Sequence, residues 1–311
     1  MWLGITSLRE FSPDQTFACR PKTFLSALPA VSARPRVSVV MPSFNSCRFL
    51  TAAVESVLNQ DYENWELRIV DDGSTDGSDI VAREFAERFR SQITVHHHPH
   101  HQNRGAAASR NVGLQASRTE LVTFLDADDV WLPDALRRQV LLLDKFPDAQ
   151  IGLGATQYWY SWKPAAGGDA RDVVPALGFE PETVVPPPTL ATINYPLGTA
   201  PAPSMNALIA RREALEAIGG FESSFSGISG MYEDQALLIK IYLHCAVVAG
   251  RHVCDRYRQH DRSICARVTE AGGYDAVRAH FLTWLAGYID ASQTGFPDVL
   301  AALDRTQHVR T

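Results

Sequence analysis

Hydrophobic and polar residues follow one another in a regular succession between residues 36 and 125. Short apolar runs predict strands over 37–42, 65–70, 93–95 and 121–125, and all but the third end at a proline or an aspartate. Apolar residues at helical spacing predict a helix over 50–60, capping residues at 74–76 predict one over 78–89, and an alanine-rich run predicts one over 105–116. Strands that alternate with helices are typical of a parallel sheet with helices on both faces, so the pattern predicts an α/β fold.

The pattern changes after Asp148. An aromatic, alternating run predicts a strand over 157–162, and residues 163–203 then carry most of the prolines. Long connections without regular structure are uncommon unless they cover a functional site, so we expect a lid or an acceptor-binding region there. Regular secondary structure is expected again at 205–209. Further along the chain, the pattern predicts a helix over 211–218 and a buried helix followed by a strand over 236–250.

Composition excludes several functions. The chain has 311 residues, is 45% hydrophobic and carries a net charge of −6, which argues against nucleic acid as a partner. The five cysteines are scattered without CxxC spacing, which predicts reduced thiols and not a disulfide framework or a zinc site. No apolar run reaches the length of a membrane span, and the N-terminus lacks the order of a signal peptide. We therefore expect a soluble, cytoplasmic protein.

The polar clusters of the first half follow predicted strands. They occupy residues 42–45, 71–74 and 126–129. Ligands of open α/β sheets bind beyond the carboxyl ends of the strands, so these clusters are the candidate site.

Asp126 and Asp128 are separated by one small residue at the end of a buried strand. In extended chain the side chains of residues i and i+2 point the same way, and two such carboxylates repel each other without a cation. Mg²⁺ or Mn²⁺ bridging a diphosphate fits this arrangement, because such ions need few protein carboxylates. The alternative is a solvated acidic turn in which Asp129 caps the helix after Pro133.

Seven motifs, in this order, carry a family resemblance. They are VSVVMPSFN (37–45), IVDDGSTDGS (69–78), NRGAAASRN (103–111), FLDADD (124–129), GGFE (219–222), YED (232–234) and YRQHDRS (257–263). The chain resembles the family 2 inverting glycosyltransferases of the GT-A fold. The resemblance implies a Rossmann-like, mostly parallel sheet flanked by helices, with a C-terminal acceptor-side extension.

The Pro- and Ser-containing composition of the N-terminus, together with the resemblance of the rest, predicts how the chain is organised. Residues 1–34 are expected to be a loosely attached extension, and residues 35–150 the half that binds a nucleotide sugar. Residues 151–265 would be the acceptor-binding and catalytic-base half of the same domain, and residues 266–311 a C-terminal helical segment.

The resemblance also implies residue roles on the donor side. Asp72 would contact the base, with Asp71 or Asp72 closing a turn as the alternative. The start of the helix at 105 would face the diphosphate through free amides and the helix dipole, although Arg110 and Asn111 could be core-facing polar residues. Asp128 and His260 would hold Mn²⁺ or Mg²⁺. The expected donor-binding residues are Pro42, Phe44, Asn45, Asp72, Asn103, Gly105, Asp126, Ala127 and Arg258.

On the acceptor side, the resemblance implies that Asp234 is the catalytic base and that Glu233 contacts the acceptor. Inversion requires a base that takes the proton of the acceptor hydroxyl. The alternative is that both carboxylates only cap the apolar helix that follows.

The expected reaction is transfer of one monosaccharide from a nucleoside diphosphate sugar, a UDP-sugar first among them, to a glycan or lipid-linked acceptor. The QxxRW motif of processive synthases is replaced here by residues 259–263, QHDRS, which favours a single transfer. Peripheral association with the inner membrane face is compatible with this function. A nucleotidyltransferase and a non-catalytic sugar-nucleotide-binding module are the alternatives. The histidine tract at 96–101 is interpreted as solvated surface, with adventitious metal binding more common than a designed site.

Overall fold

The first four strands form the parallel part of the sheet that the sequence predicts. The computed structural model describes residues 37–163, 171–292 and 295–308. The strands are β1 (Val37–Ser43), β2 (Trp65–Asp71), β3 (Ile93–His97) and β4 (Leu121–Phe124), and their intervening helices are α1 (Cys47–Leu58), α2 (Ser78–Arg88) and α3 (Ala106–Ala116). They lie side by side in the order β3-β2-β1-β4, all parallel. The seven predicted elements are thereby confirmed, with ends shifted by a few residues.

The second half extends the same sheet. Its elements are β5 (Val130–Trp131), α4 (Ala135–Lys145), β6 (Ile151–Trp159), β7 (Val184–Val185), α5 (Leu190–Ile193), β8 (Leu208–Arg211), α6 (Arg212–Ala217), α7 (Glu233–His244) and β9 (Val247–Arg258). Among the described residues, the order is β3-β2-β1-β4-β8-β6-β9-β5, and β7 also pairs with β9. β8 runs antiparallel to β4 and to β6, and β5 and β7 run antiparallel to β9. The sheet is therefore parallel in its first half and mixed in its second.

Alternating side chains of β1 enter two cores. Val39 and Met41 pack with α1 and α4 on one face, while Val40 packs with α3 and α7 on the other. All three are fully buried, and full burial of such a side chain contributes about 1.5–3 kcal/mol. A Cβ at Gly113 in α3 would lie 2.3 Å from Val40 Cγ1, so only glycine permits this close approach of helix and sheet.

The C-terminal part is helical. Its helices are α8 (Ile264–Glu270), α9 (Tyr274–Ala291) and α10 (Pro297–His308). Phe281 and Leu285 of α9 are fully buried and join the core that also contains α7. Within the described residues, no helix combines the length and the apolar character that a membrane crossing requires.

Two predicted segments differ in detail. The aromatic strand predicted over 157–162 is the end of β6, which begins at Ile151 and stops at Trp159. The proline-rich region contains β7 and α5, and Leu190 and Ala191 of α5 are buried in the core. Its residues 164–170 lie outside the described residues, as does the predicted extension 1–34.

The strand register brings the candidate site together. Ser43 at the end of β1 lies opposite Asp71 of β2, and Asp71 lies opposite His97 of β3. The residues that follow these strands therefore share one edge of the sheet.

Candidate active site

The loops after β1 and β2 are joined by hydrogen bonds. The Asn45 N–H donates to Ser74 Oγ (3.0 Å), and Asn45 Oδ1 accepts from the Thr75 N–H (2.8 Å). Asn45 has a φ of 49°, the left-handed region that asparagine tolerates better than most residues. Phe44 in the same loop is 48% exposed, so its ring is available to a ligand, and Pro42 is partly buried.

Asp72 is buried and binds the loop that precedes α3. Its Oδ1 accepts from the Arg104 N–H (2.6 Å) and its Oδ2 from the Gly105 N–H (2.8 Å), while His98 Nε2 lies 3.4 Å from Oδ1. Burial raises the pKa of Asp72, against the lowering effect of these two amide bonds. The expectation that Gly105 offers a free amide to a phosphate is therefore wrong, because a buried carboxylate takes that donor. Contact of Asp72 with a base stays a prediction.

Asp71 closes the turn after β2. Its Oδ2 accepts from the N–H groups of Gly73 and Ser74, both at 3.2 Å. Gly73 has a φ of 79°, and a Cβ there would lie 2.4 Å from the carbonyl oxygen of His101. The turn-closing role that the sequence left open between two aspartates thus belongs to Asp71. Asn103 is exposed next to this turn.

Asp126 and Asp128 follow β4 with their side chains about one third exposed. The Asp126 N–H donates to Asn206 Oδ1 (2.9 Å), which fixes the start of the loop. Asp128 Oδ2 lies 2.9 Å from His260 Nε2, the two atoms expected to bind a metal. Ala127 between them is 5% exposed and joins the buried core, but the expected extended chain is not observed, because the Asp129 N–H donates to the Asp126 carbonyl (3.1 Å) and closes a turn.

Asp129 does not cap a helix. It is fully buried, and it accepts from the Arg258 N–H (2.6 Å) and from Asn206 Nδ2 (2.7 Å). Burial and the nearby acidic groups raise its pKa well above the ordinary value. The capping alternative is wrong because α4 begins later, after Asp134, and Asp129 instead fixes the end of β9 against the loop.

Arg258 holds the same loop from the other side. Its Nε donates to the Asp128 carbonyl (2.7 Å), and its guanidinium carbon lies 4.6 Å from the Trp159 ring centroid and 4.9 Å from those of Phe49 and Trp162. Aromatic faces attract a cation at these distances. The guanidinium is thus positioned beside the Asp128 loop, where its predicted contact with phosphate can be tested.

The carboxylate and imidazole of Asp128 and His260 fit a divalent cation. His260 Nδ1 is buried without a hydrogen-bond partner among the described residues, and the side chain is 6% exposed. Two protein ligands leave several positions for phosphate oxygens and water, as Mg²⁺ and Mn²⁺ sites commonly require. Asp126 Oδ1 is paired with Arg110, and the contact of Asp126 with the donor stays a prediction.

Arg110, which the sequence left open as a core-facing polar residue, is the buried residue that links two carboxylates of the candidate site. It lies in α3, is 3% exposed, and donates from Nη2 to Asp126 Oδ1 (2.5 Å) and from Nη1 to Glu233 Oε1. Burial lowers its pKa and the two carboxylates raise it, with a net rise. The available signal was a charged residue on an alanine-rich buried helix, since a buried arginine needs acidic partners.

Glu233 and Asp234 begin α7. Burial raises the pKa of Glu233 to about 7, against the lowering effect of Arg110. Asp234 is partly exposed, its Oδ1 accepts from the Gln235 N–H (2.7 Å), and loss of hydration raises its pKa to about 6. An acid of that pKa is mostly ionised at neutral pH and remains basic enough to accept a proton.

The histidine tract is only partly solvated. His98 is 5% exposed and its Nε2 lies 2.9 Å from Ser109 Oγ of α3. The prediction that the whole tract is solvated surface is wrong for this residue, because the chain turns inward at the end of β3 to reach α3.

Asp128 and His260 thus lie together beyond the end of β4, and Arg110 links Asp126 of the same loop to Glu233 at the start of α7. The model of the family "Glycosyl transferase family 2" matches residues 38–219, more than half of the chain. The chain therefore belongs to glycosyl transferase family 2.

Relatives agree with this assignment. The UDP-Glc:alpha-D-GlcNAc-diphosphoundecaprenol beta-1,3-glucosyltransferase WfgD of Escherichia coli is 35% identical over 109 residues, which are 35% of this chain and 41% of WfgD. The aligned part of the chain thus covers less than half the length of such curated relatives.

Solved structures show the fold. The Staphylococcus aureus TarS fragment 1–349 in complex with UDP has a TM-score of 0.52 at 22% identity, covering 73% of this chain and 61% of that one. The Pyrobaculum calidifontis mannosyltransferase PcManGT, in complex with GDP-Man and Mn²⁺, has a TM-score of 0.56 at 20% identity, covering 89% and 71%. The predicted GT-A fold is confirmed.

Proposed function

We propose that this protein transfers one monosaccharide from a nucleoside diphosphate sugar to an acceptor hydroxyl, with inversion at the anomeric carbon. The observation that carries the proposal is the bridge made by Arg110, which joins Asp126 after β4 to Glu233 at the start of α7. This bridge supports the proposal because it links the loop after β4 to the residue next to Asp234, and a displacement reaction requires the donor-side groups and the base in one site. The glucosyltransferase activity in the name of WfgD supports the same class of reaction.

On the donor side, Asp128 and His260 hold a divalent cation together with the diphosphate. Mn²⁺ or Mg²⁺ supplies the positive charge that stabilises the leaving diphosphate when it is bound. Imidazole is a softer ligand than carboxylate, which favours Mn²⁺ over Mg²⁺ here. The Mn²⁺ in the complex of PcManGT is in keeping with this choice. Arg258 neutralises further phosphate charge, and the exposed Phe44 ring covers the base.

On the acceptor side, Asp234 accepts the proton of the attacking hydroxyl. Its raised pKa, about 6, keeps the carboxylate both ionised at neutral pH and basic enough for this step. Glu233 fixes the start of α7 through Arg110 and contacts the acceptor. The described part of the proline-rich region, residues 171–203, limits the access of water until the acceptor binds, so that hydrolysis of the donor is slow.

The proposed setting is the synthesis of a cell-surface or extracellular polysaccharide, or of another glycoconjugate. The acceptor is a glycan or a lipid-linked sugar, and the protein works in the cytoplasm or at the inner face of the membrane. WfgD, whose name contains a diphosphoundecaprenol-linked acceptor, supports a lipid-linked acceptor. UDP-sugars are the first donors to test, followed by GDP-sugars, since TarS and PcManGT were solved with UDP and with GDP-Man.

The experiment uses the slow hydrolysis of the donor, in which water replaces the unknown acceptor. UDP- and GDP-sugars are incubated with the protein and Mn²⁺, and release of the nucleoside diphosphate is measured beside the anomeric configuration of the fresh sugar by NMR. We expect release from one donor, with an inverted anomeric centre. Release of pyrophosphate or of a nucleoside monophosphate would contradict the proposal and favour phosphoryl or nucleotidyl chemistry.

A further inference from the structure

Three potential metal ligands lie close together at the carboxyl ends of β2 and β3. Asp71 ends β2, and the other two ligands belong to the histidine tract. Asp71 and His97 lie opposite each other in the register of β2 and β3. The 3₁₀ turn Pro99–His101 then brings His101 back, so that the His97 and His101 ring centroids lie 4.8 Å apart. One ligating atom from each of the three residues lies within 4.8 Å of the others. Side chains far from each other in sequence are therefore within reach of a single ion.

The second observation is that buried polar atoms in this cluster have no partner. Asp71 is 1% exposed, and its Oδ1 makes no hydrogen bond within the part of the chain that the structure describes. The same holds for His97 Nδ1, which lies 3.8 Å from Asp71 Oδ2. Leaving a buried donor or acceptor unpaired is unfavourable, and more so for a charged group. Buried groups of this kind call for a bound partner such as a cation.

We propose that Asp71, His97 and His101 bind a divalent transition metal of the Zn²⁺ type. Two imidazole nitrogens and one carboxylate oxygen suit Zn²⁺, Co²⁺ or Ni²⁺ better than Mg²⁺. His101 is exposed, which leaves an open side for a fourth ligand such as water. The ligand set differs from the single carboxylate and imidazole of Asp128 and His260, and the proposal does not depend on the transferase function.

The metal joins two loops that already touch. The carbonyl of His101 packs against Gly73, and the Arg104 and Gly105 amides donate to Asp72. A bound ion adds a coordinate link between the turn after β2 and the segment before α3. An ion that binds only the folded chain stabilises it, so Zn²⁺ raises the melting temperature.

The neighbouring histidines provide matched controls. His100 is exposed in the same turn but offers no ligand to the cluster, and His98 is directed to Ser109 instead. The variant His100→Gln therefore removes one imidazole from the tract without removing a proposed ligand. His101→Gln makes the same chemical change at an exposed ligand, where folding is not at risk.

The experiment is calorimetric titration of the untagged full chain with Zn²⁺ in excess Mg²⁺, with Co²⁺ absorption and the melting temperature as further readouts. The variants are His101→Gln, His97→Gln, Asp71→Asn, His100→Gln and, for the other site, Asp128→Asn. Loss of an outer-shell partner weakens metal binding roughly 10–100-fold, so loss of a ligand is expected to weaken it at least about 100-fold.

We expect one Zn²⁺ per chain, a Co²⁺ spectrum of low coordination number, and loss of both in His101→Gln and His97→Gln. His100→Gln and Asp128→Asn should bind like the original protein. Three results would overturn the proposal. The first is the absence of saturable Zn²⁺ binding. The second is equal weakening by His100→Gln and His101→Gln, which indicates adventitious binding by the tract. The third is loss of the ion in Asp128→Asn alone.

Discussion

Replacing Asp234 by asparagine tests the chemical step. The amide keeps the size of the side chain and its Oδ1 can still accept from the Gln235 N–H (2.7 Å), but it cannot take a proton. Loss of a general base lowers the rate about 10²–10⁴-fold, which corresponds to roughly 2.7–5.5 kcal/mol of transition-state stabilisation. Donor affinity should stay within a few-fold, because the base acts on the acceptor.

The assay is release of the nucleoside diphosphate at saturating donor, beside donor affinity from calorimetry. The melting temperature should not fall, because asparagine removes a charge whose burial raises its pKa to about 6. Glu233→Gln should slow the reaction less, and Asp144→Asn on the exposed face of α4 makes the same chemical change as a control. A near-normal rate for Asp234→Asn would refute the assignment and make Glu233 the first candidate.

Three further predictions follow from the site. The rate of transfer should rise with pH up to about 6 and then level off, because Asp234 must be ionised to accept a proton. An inflection near 7 in the pH–rate profile would point to Glu233 instead. Arg110→Leu should destabilise the protein by about 3–5 kcal/mol in denaturant titrations, because it removes the partner of a buried carboxylate. Adding Glu233→Leu should restore part of the lost stability, whereas additive losses would mean that the pair is not coupled. Asp72→Asn should weaken the preferred nucleotide by about 1–3 kcal/mol relative to other nucleotides in calorimetry, whereas equal weakening of all, with a lower melting temperature, would make Asp72 a purely structural residue.

The first half of the fold could be predicted from local pattern. Strands β1 to β4 are short runs rich in β-branched and other apolar residues, and helix α1 repeats apolar residues at helical spacing. Both signals depend only on neighbours in sequence. The mixed second half was harder, because the antiparallel pairing of β8 between β4 and β6 depends on contacts between distant segments.

The candidate site likewise contains residues that could be predicted from the sequence and residues that could not. Aspartates that end strands, such as Asp126 and Asp128, are visible in sequence because their position follows from the strand. The partners of buried groups are not visible. Arg110 meets Glu233 across 123 residues, and Asn206 joins Asp129 across 77. Likewise, the amide of Gly105 is used by Asp72, which only the folded chain reveals.

The measurement that tests the central claim most directly is calorimetric titration of UDP- and GDP-sugars in Mn²⁺ and again after chelation. Asp128→Asn and the control Asp144→Asn are titrated in parallel. We predict that one nucleotide sugar binds in Mn²⁺, and that chelation or Asp128→Asn weakens this binding sharply while Asp144→Asn does not. Equal affinity with and without the chelator, or no binding of any nucleotide sugar, would contradict the account.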